Sequence, residues 1–145
     1  MDWLCPKIDI DSRMKSLIPS VTLALIISSN AFADDVRIKK ASFHLEQDGI
    51  WTVSVTLRHL DEGWKHYADE WRVVNADNGK VLGARKLLHP HVNEQPFTRS
   101  LSNVPIPAEV RHVYIEAHDK VHGWSPHKLK VDMSERKGRG YEIKR

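Results

Sequence analysis

The stretch Ile50–His59, "IWTVSVTLRH", decides the fold. Trp51, Val53, Val55 and Leu57 take alternate positions, with Thr52, Ser54 and Thr56 between them. Successive side chains of a strand point to opposite faces, so this period of two describes a strand with one apolar and one hydroxyl face. Upstream, "VRIKKASFHL" (36–45) alternates Val36 and Ile38, then Ala41, Phe43 and Leu45. The parity changes at Lys39-Lys40, which predicts a bulge. Between the two runs, Asp48-Gly49 predicts a two-residue hairpin turn.

Downstream the pattern repeats. Trp71–Asn75 turns through Asp77-Asn78-Gly79 into Lys80–Leu88, and a short strand follows at Phe97–Ser102. "VPIPAEV" (104–110) is a proline-stiffened connection, after which "RHVYIEAHD" (111–119) and "HKLKVDM" (127–133) alternate again. Only Lys65–Glu70 has room for a single helical turn. Short strands separated by regular turn signals predict an all-β domain, a single antiparallel β-sandwich of about seven strands. The stretch "IPAEVRHVYIEAHDKVHG" (106–123) resembles the late strands of immunoglobulin-like and fibronectin type III-like domains. That resemblance implies an immunoglobulin-like sandwich.

The chain ends carry different signals. In "MKSLIPSVTLALIISSNAFADD" (14–35), Lys15 precedes an apolar run from Leu17 to Ile27, and Ala31-Phe32-Ala33 forms an A-x-A signal. This predicts a signal peptide that begins at Met14 and is cleaved after Ala33. The apolar run is shorter than the roughly 20 residues a membrane span needs. Residues 1–13 carry acidic residues and fit such a leader badly, so Met14 is the expected start and 1–33 the leader. The single cysteine, Cys5, lies in that leader. The expected domain, 34–135, therefore has neither disulfides nor thiol chemistry, and export to a Gram-negative periplasm with no transmembrane segment in the mature chain is the expected location.

Residues 34–135 carry 14 Lys/Arg against 15 Asp/Glu, whereas the tail 136–145 carries five against one. The basic excess thus belongs to the tail, which reads as a frayed solubilising end or a weak contact for acidic lipid or cell-wall polymer. Nucleic-acid binding would put a basic stripe on the fold itself, so no nucleic-acid partner is expected.

In a sandwich of consecutive antiparallel strands, successive loops go to opposite ends. Loops 59–69, 89–96 and 119–126 should share one end, which then collects His59, His66, His89, His91, His118, His122 and His127 of the nine histidines. Asp61, Glu62, Asp69, Glu94, Asp119, Trp64, Tyr67 and Trp124 come with them. Three readings of this cluster stay open.

The first is metal binding. Imidazole suits Cu and Zn, and with no cysteine the choice tilts to Zn or Cu(II) over Cu(I). His89-Pro90-His91 is an H-x-H whose side chains would share a face in extended backbone. His122 or His118 would add a third ligand, and Glu94 or His66 a fourth. The second reading is a structural lock, in which His89, Glu94, Arg99 and Asp119 satisfy loop backbone through charge-assisted hydrogen bonds. Gln95-Pro96 would then set an extended entry to the next strand. The third is a non-enzymatic adaptor that presents Trp64, Tyr67 and Trp124 to a protein or glycan, while Trp71 and Trp51 fill the core. Catalysis has little to build on. Ser100, Ser102 and Ser125 lie in no nucleophile-elbow sequence, and Asp61 and Glu62 are adjacent and would point apart.

Between Val55 and Met133 the chain resembles a group of small exported bacterial proteins of unassigned activity. "HYADEW", "VLGARKLLHPHVNEQPFTRSL" and "HDKVHGW" carry the match, centred on H-P-H-x-x-E-Q-P-F-T-R-S (89–100). The resemblance implies the same fold and compartment, and no mechanism. The sequence thus describes an exported periplasmic binding module, with a transition metal and a macromolecular partner as the competing ligands.

Overall fold

The computed structural model describes residues 34–145. The expected leader, its cleavage signal and Cys5 lie outside the described residues. Ten strands build two sheets: β1 (Arg37–Gln47), β2 (Ile50–Arg58), β3 (Ala68–Asn75), β4 (Val81–Lys86), β5 (Phe97–Pro105), β6 (His112–Asp119), β7 (Gly123–Trp124), β8 (Leu129–Asp132), β9 (Lys137–Gly138) and β10 (Tyr141–Lys144). One sheet runs β5-β2-β1-β10-β9, the other β4-β3-β6-β7, with β8 also paired to β6. Strands β1, β2 and β5 on one side and β4, β3, β6 and β8 on the other follow an immunoglobulin-like two-sheet arrangement.

The alternation in β2 is the one its sequence dictates: Trp51, Val53, Val55 and Leu57 are buried and the residues between them are not. Its outer face carries hydroxyl pairs across to β5, Ser54–Ser100 at 2.7 Å and Thr56–Thr98 at 2.8 Å. Opposite, Trp71 and Val73 of β3 and Val113, Ile115 and Ala117 of β6 complete the core. The β1–β2 register slips between Ile38 and Lys40, which is the expected bulge. Gln47 pairs with Ile50 around the Asp48-Gly49 turn, where Gly49 takes φ +70°.

Expectation and structure part in four places. Lys65–Glu70 contains no helical turn: the chain turns between Gly63 and His66, and β3 starts at Ala68. Gln95-Pro96 is a cis bond rather than an extended entry. The last expected strand, 127–133, is β8, but a short unexpected strand, β7, lies within the expected loop 119–126; both are laid along β6, with Ser125-Pro126 between them and Ser125 N–H bonded to the Ala117 carbonyl at 2.8 Å.

The largest correction is the tail. Residues 136–145 are not a frayed end: β9 and β10 pair with each other, and β10 lies parallel to β1 with Phe43 opposite Ile143. Ile143 is buried in the core, and Tyr141 covers Gly138 so closely that a side chain there would collide with its ring. The sandwich domain therefore includes the tail. The two sheets pack around one core cluster.

On the outer face of the second sheet, Arg72 donates Nε–H to Glu116 at 2.8 Å and its guanidinium covers the Trp124 ring at 3.6 Å. Lys128 meets the other Glu116 oxygen at 2.7 Å. Burial alone would raise the Glu116 pKa, but the bonds from Lys128 and Arg72 win and hold it below the usual carboxylate value.

Candidate functional site

Strand direction sends the ends of β2 and β6, the start of β3 and the β4–β5 connection to one end of the sandwich, together with residues 34–36 before β1. His59 stands one residue past β2, on the same parity as Val55 and Leu57. Its side chain therefore enters the core, and its ring is fully buried. Asp61, two residues on, is fully buried as well. Burying such groups is costly unless they are paired, and these two pair with each other: His59 Nδ1–H donates to Asp61 Oδ1 at 2.6 Å.

Asp61 also accepts the Ala68 N–H at 3.0 Å on that oxygen and the His91 N–H at 2.6 Å on the other. One carboxylate thus ties together the end of β2, the start of β3 and the β4–β5 loop. Burial by itself would raise its pKa, but these donors outweigh burial and lower it. For His59, burial favours the neutral ring, whereas the Asp61 bond and the charges of Asp34, Asp61 and Asp119 favour the cation, and the net shift is upward.

The other nitrogen of His59, Nε2, is buried and has no hydrogen-bond partner among the described residues; the same holds for His66 Nε2. His66 is arranged like His59, with its Nδ1 held by a carboxylate, Glu62 Oε2 at 3.0 Å. The two rings meet edge to face with centroids 5.0 Å apart. His66 Nε2 lies 3.5 Å from Asp119 Oδ1. Asp119 ends β6, is buried, and accepts the N–H groups of Val121 at 2.8 Å and His122 at 2.7 Å. Burial works to raise its pKa, but those two N–H groups and neighbouring imidazoles bring it below the ordinary value. One donor atom from each of His59, His66 and Asp119 lies within 4.8 Å of the others. Asp34 approaches from the His59 side, with its Oδ2 3.7 Å from His59 Nε2.

These spacings have a chemical meaning. Two donors bound at 2.0–2.1 Å to one tetrahedral ion stand about 3.3–3.4 Å apart. Separations of 3.5 and 3.7 Å are too long for hydrogen bonds and close to that edge length. Metal-bound histidines characteristically give their second nitrogen to a carboxylate, which fixes the tautomer and aims the ring. Both His59 and His66 already have that partner.

The expected site residues scatter around this centre. His66 belongs to it, and Asp119 is both a donor and the lock of its own loop. His122 lies alongside, with its ring 5.1 Å from that of His66 and its Nδ1 3.2 Å from Asp119 Oδ2. The H-x-H pair does not converge on it. The His89 and His91 rings do lie together, 4.6 Å apart, but His91 is buried flat on Phe97 at 3.8 Å while His89 is exposed and faces the Pro90 carbonyl, and a turn follows between His91 and Glu94. Burial first, then the charges of Arg99 and His89, lower the His91 pKa.

His118 is held on the outer sheet face by Asp69 at 2.6 Å, away from the triad. Glu94 is engaged by Arg99 through two bonds, at 2.9 and 3.2 Å, so that half of the expected structural lock forms without His89 or Asp119. Among the aromatics, Trp64 is 66% exposed but Tyr67 is buried beneath it, and Trp124 lies against Arg72. Ser100 is occupied by Ser54, and Asp61 and Glu62 diverge.

The sequence places His59 and Asp61 at this end without marking either as a ligand or tie, and gives no sign of Asp34. For His59 and Asp61 a signal existed: they continue the inward parity of β2, a polar pair on an apolar row.

The fold and site together define a two-sheet β-sandwich with a buried His/His/Asp cluster at one end. No family model matches the chain, and no solved structure matches it. The chain is similar to a protein of Halomicrobium mukohataei named "Putative lipoprotein", with 42% identity over 79 residues, 54% of this chain and 38% of that protein. The chain thus spans well under half of that relative's length.

Proposed function

We propose that this protein is an exported module that binds one divalent transition metal, Zn(II) or Cu(II), through His59 Nε2, His66 Nε2 and Asp119. The carrying observation is the pair of buried, unpartnered imidazole nitrogens, each backed by a carboxylate on its other side, in a group of His59, His66 and Asp119 whose donor atoms lie within 4.8 Å of one another. Two imidazoles and a carboxylate suit these ions and leave a coordination position open. The periplasm is assigned from the A-x-A leader pattern alone; the name of the similar protein, a lipoprotein, supports export and not the compartment.

Calorimetric titration of residues 34–145 with Zn(II) and Cu(II) tests this reading. The expected result is one ion per chain at micromolar Kd or tighter, weakening as pH falls because protons compete for the imidazoles. His59→Ala and His66→Ala should each weaken binding at least tenfold, and His89→Ala should not. Affinity no better than about millimolar, or a loss on His89→Ala in place of His59→Ala, would overturn it.

One observation favours an adaptor role. Leu60, Trp64, Leu88, Val92 and Val121 are all exposed large apolar side chains, and all five lie on the loops around the cluster. Such a rim is the composition of a docking surface. On this reading, Trp64→Ala releases a protein or glycan partner that wild type retains through purification, with or without metal. Equal retention by the variant would remove it.

A further inference from the structure

We propose that the cleft between the edge strands β4 and β5, beneath the His89-Pro90-His91 segment, binds a small tetrahedral oxyanion, a phosphate group, with Arg85 and His91 as its donors. The inference is independent of the metal reading. It begins with strand register. Arg85 of β4 pairs with Trp71, and Arg99 of β5 pairs with Val55. Directly paired residues of an antiparallel ladder share a face, and Trp71 and Val55 are fully buried. Both arginines therefore stand on core-facing rows. β4 and β5 are the outermost strands of their sheets, and Gly83 of β4 lies against Leu101 and Val104 of β5. Two residues beyond Gly83 and two before Leu101 come Arg85 and Arg99. They line one cleft of about 100 Å3, which Leu87, Leu88, His89 and His91 complete.

Charge in this cleft is unevenly matched. Glu94 holds Arg99 through two bonds, at 2.9 and 3.2 Å, and Glu70 takes Lys86. Arg85 has no carboxylate at ion-pair distance among the described residues, and its Nε–H is buried without an acceptor. His91 is placed alike: its side chain is 2% exposed and neither ring nitrogen has a hydrogen-bond partner. Asp61 Oδ2 stands 3.7 Å from His91 Nδ1, beyond bonding distance. In either tautomer one ring nitrogen carries a proton, so the cleft wall holds a second buried N–H without an acceptor. Buried donors are costly to leave unpaired, and two lining one small cleft point to an acceptor that enters it. A guanidinium offers parallel N–H groups to two oxygens, and the imidazole offers one to a third. A tetrahedral anion directs oxygens to both walls at once, which a planar carboxylate does not, and its charge offsets that of Arg85. Burial, then the positive charges of Arg99 and His89, lower the His91 pKa, so at neutral pH the ring is a neutral donor in a positive surrounding. The H-x-H pair, which the His/His/Asp cluster does not use, thus has a place of its own, with the exposed His89 ring beside that of His91.

Calorimetric titration of the purified protein, stripped of metal so that no bound ion attracts the anion, tests this with inorganic phosphate, glycerol phosphate and acetate at constant ionic strength. The expected result is one phosphate per chain with a Kd of about 1 mM or tighter, and acetate at least tenfold weaker. Arg85→Met should weaken phosphate at least tenfold. Without phosphate its unfolding midpoint should not fall below that of wild type, because an apolar chain of similar length replaces a charge that has no partner. Arg85→Lys keeps the charge, loses the planar fork, and should bind several-fold more weakly than wild type. Glycerol phosphate separates the sources of the group: tighter binding than phosphate marks a phosphomonoester such as a lipid headgroup, and weaker binding marks the free ion. Phosphate affinity no better than about 10 mM, or equal in wild type and both Arg85 variants, would overturn the site. Acetate binding as tightly as phosphate would overturn the tetrahedral assignment.

Discussion

Asp61→Ala is expected to destabilise the domain by about 3–5 kcal/mol, the usual cost of breaking a buried charged pair by removing one partner. The size follows from what remains behind. His59 Nδ1–H and the N–H groups of Ala68 and His91 all lose their acceptor at once. Each buried donor left unsatisfied costs about 1–3 kcal/mol, partly recovered if water enters the space. Three separate segments lose their common tie, so the loop end should open and the His59 ring lose its orientation. Asp61→Asn tests the charge: one carboxylate oxygen becomes an NH2 that must face an N–H donor, and most of the loss should persist. Against a total stability of about 5–15 kcal/mol, the unfolding midpoint of Asp61→Ala should drop by roughly 10–20 °C. Urea or thermal unfolding checks this, and a loss below about 1 kcal/mol would refute the central role given to Asp61.

The second large effect concerns the tail. Deleting residues 136–145 should cost more than Ile143→Ala alone, which removes a buried side chain and is expected to cost about 2–5 kcal/mol. Deletion also removes the parallel β1–β10 ladder and the Lys40–Glu142 ion pair, and leaves β1 as a bare sheet edge. Exposed edges template association, so the truncated protein should aggregate as well as unfold more easily. A frayed solubilising end would behave differently: its removal would change stability by no more than about 0.5 kcal/mol. Denaturant midpoints of the full domain, Ile143→Ala and the truncation separate the two cases.

The tail shows why part of the fold escaped the sequence. "RKGRGYEIKR" has one strongly apolar aliphatic residue, Ile143, and too short a run for a period of two to emerge from its basic composition. Its order comes from β1, whose free side offers hydrogen-bonding partners that no local pattern records. By contrast, β2 and β6 were legible because both bury one face in the core, and burial of a strand face writes itself into the chain as alternation. The loop end was legible too, since strand direction alone sends alternate loops to the same place.

Which histidines meet there was not legible. The spacing of His89 and His91 does bring their rings together, 4.6 Å apart, but His91 stacks on Phe97 and His89 is exposed, and neither is among the three residues whose donor atoms converge. His59 drew less notice because it reads as the last residue of a strand, and that position is what drives its ring into the interior beside Asp61.

From the chain alone came the all-β class, the sandwich, the bulge, the hairpin turn and the end to which the histidine-bearing loops go, because all of these follow from periodicity and turn residues within a few positions of one another. Only the tertiary structure decided that the tail is part of a sheet, that Asp61 binds three segments together, and that His59, His66 and Asp119 share a centre. These depend on contacts between residues far apart in the chain, and such contacts are set by side-chain direction after packing, which spacing along the sequence does not encode.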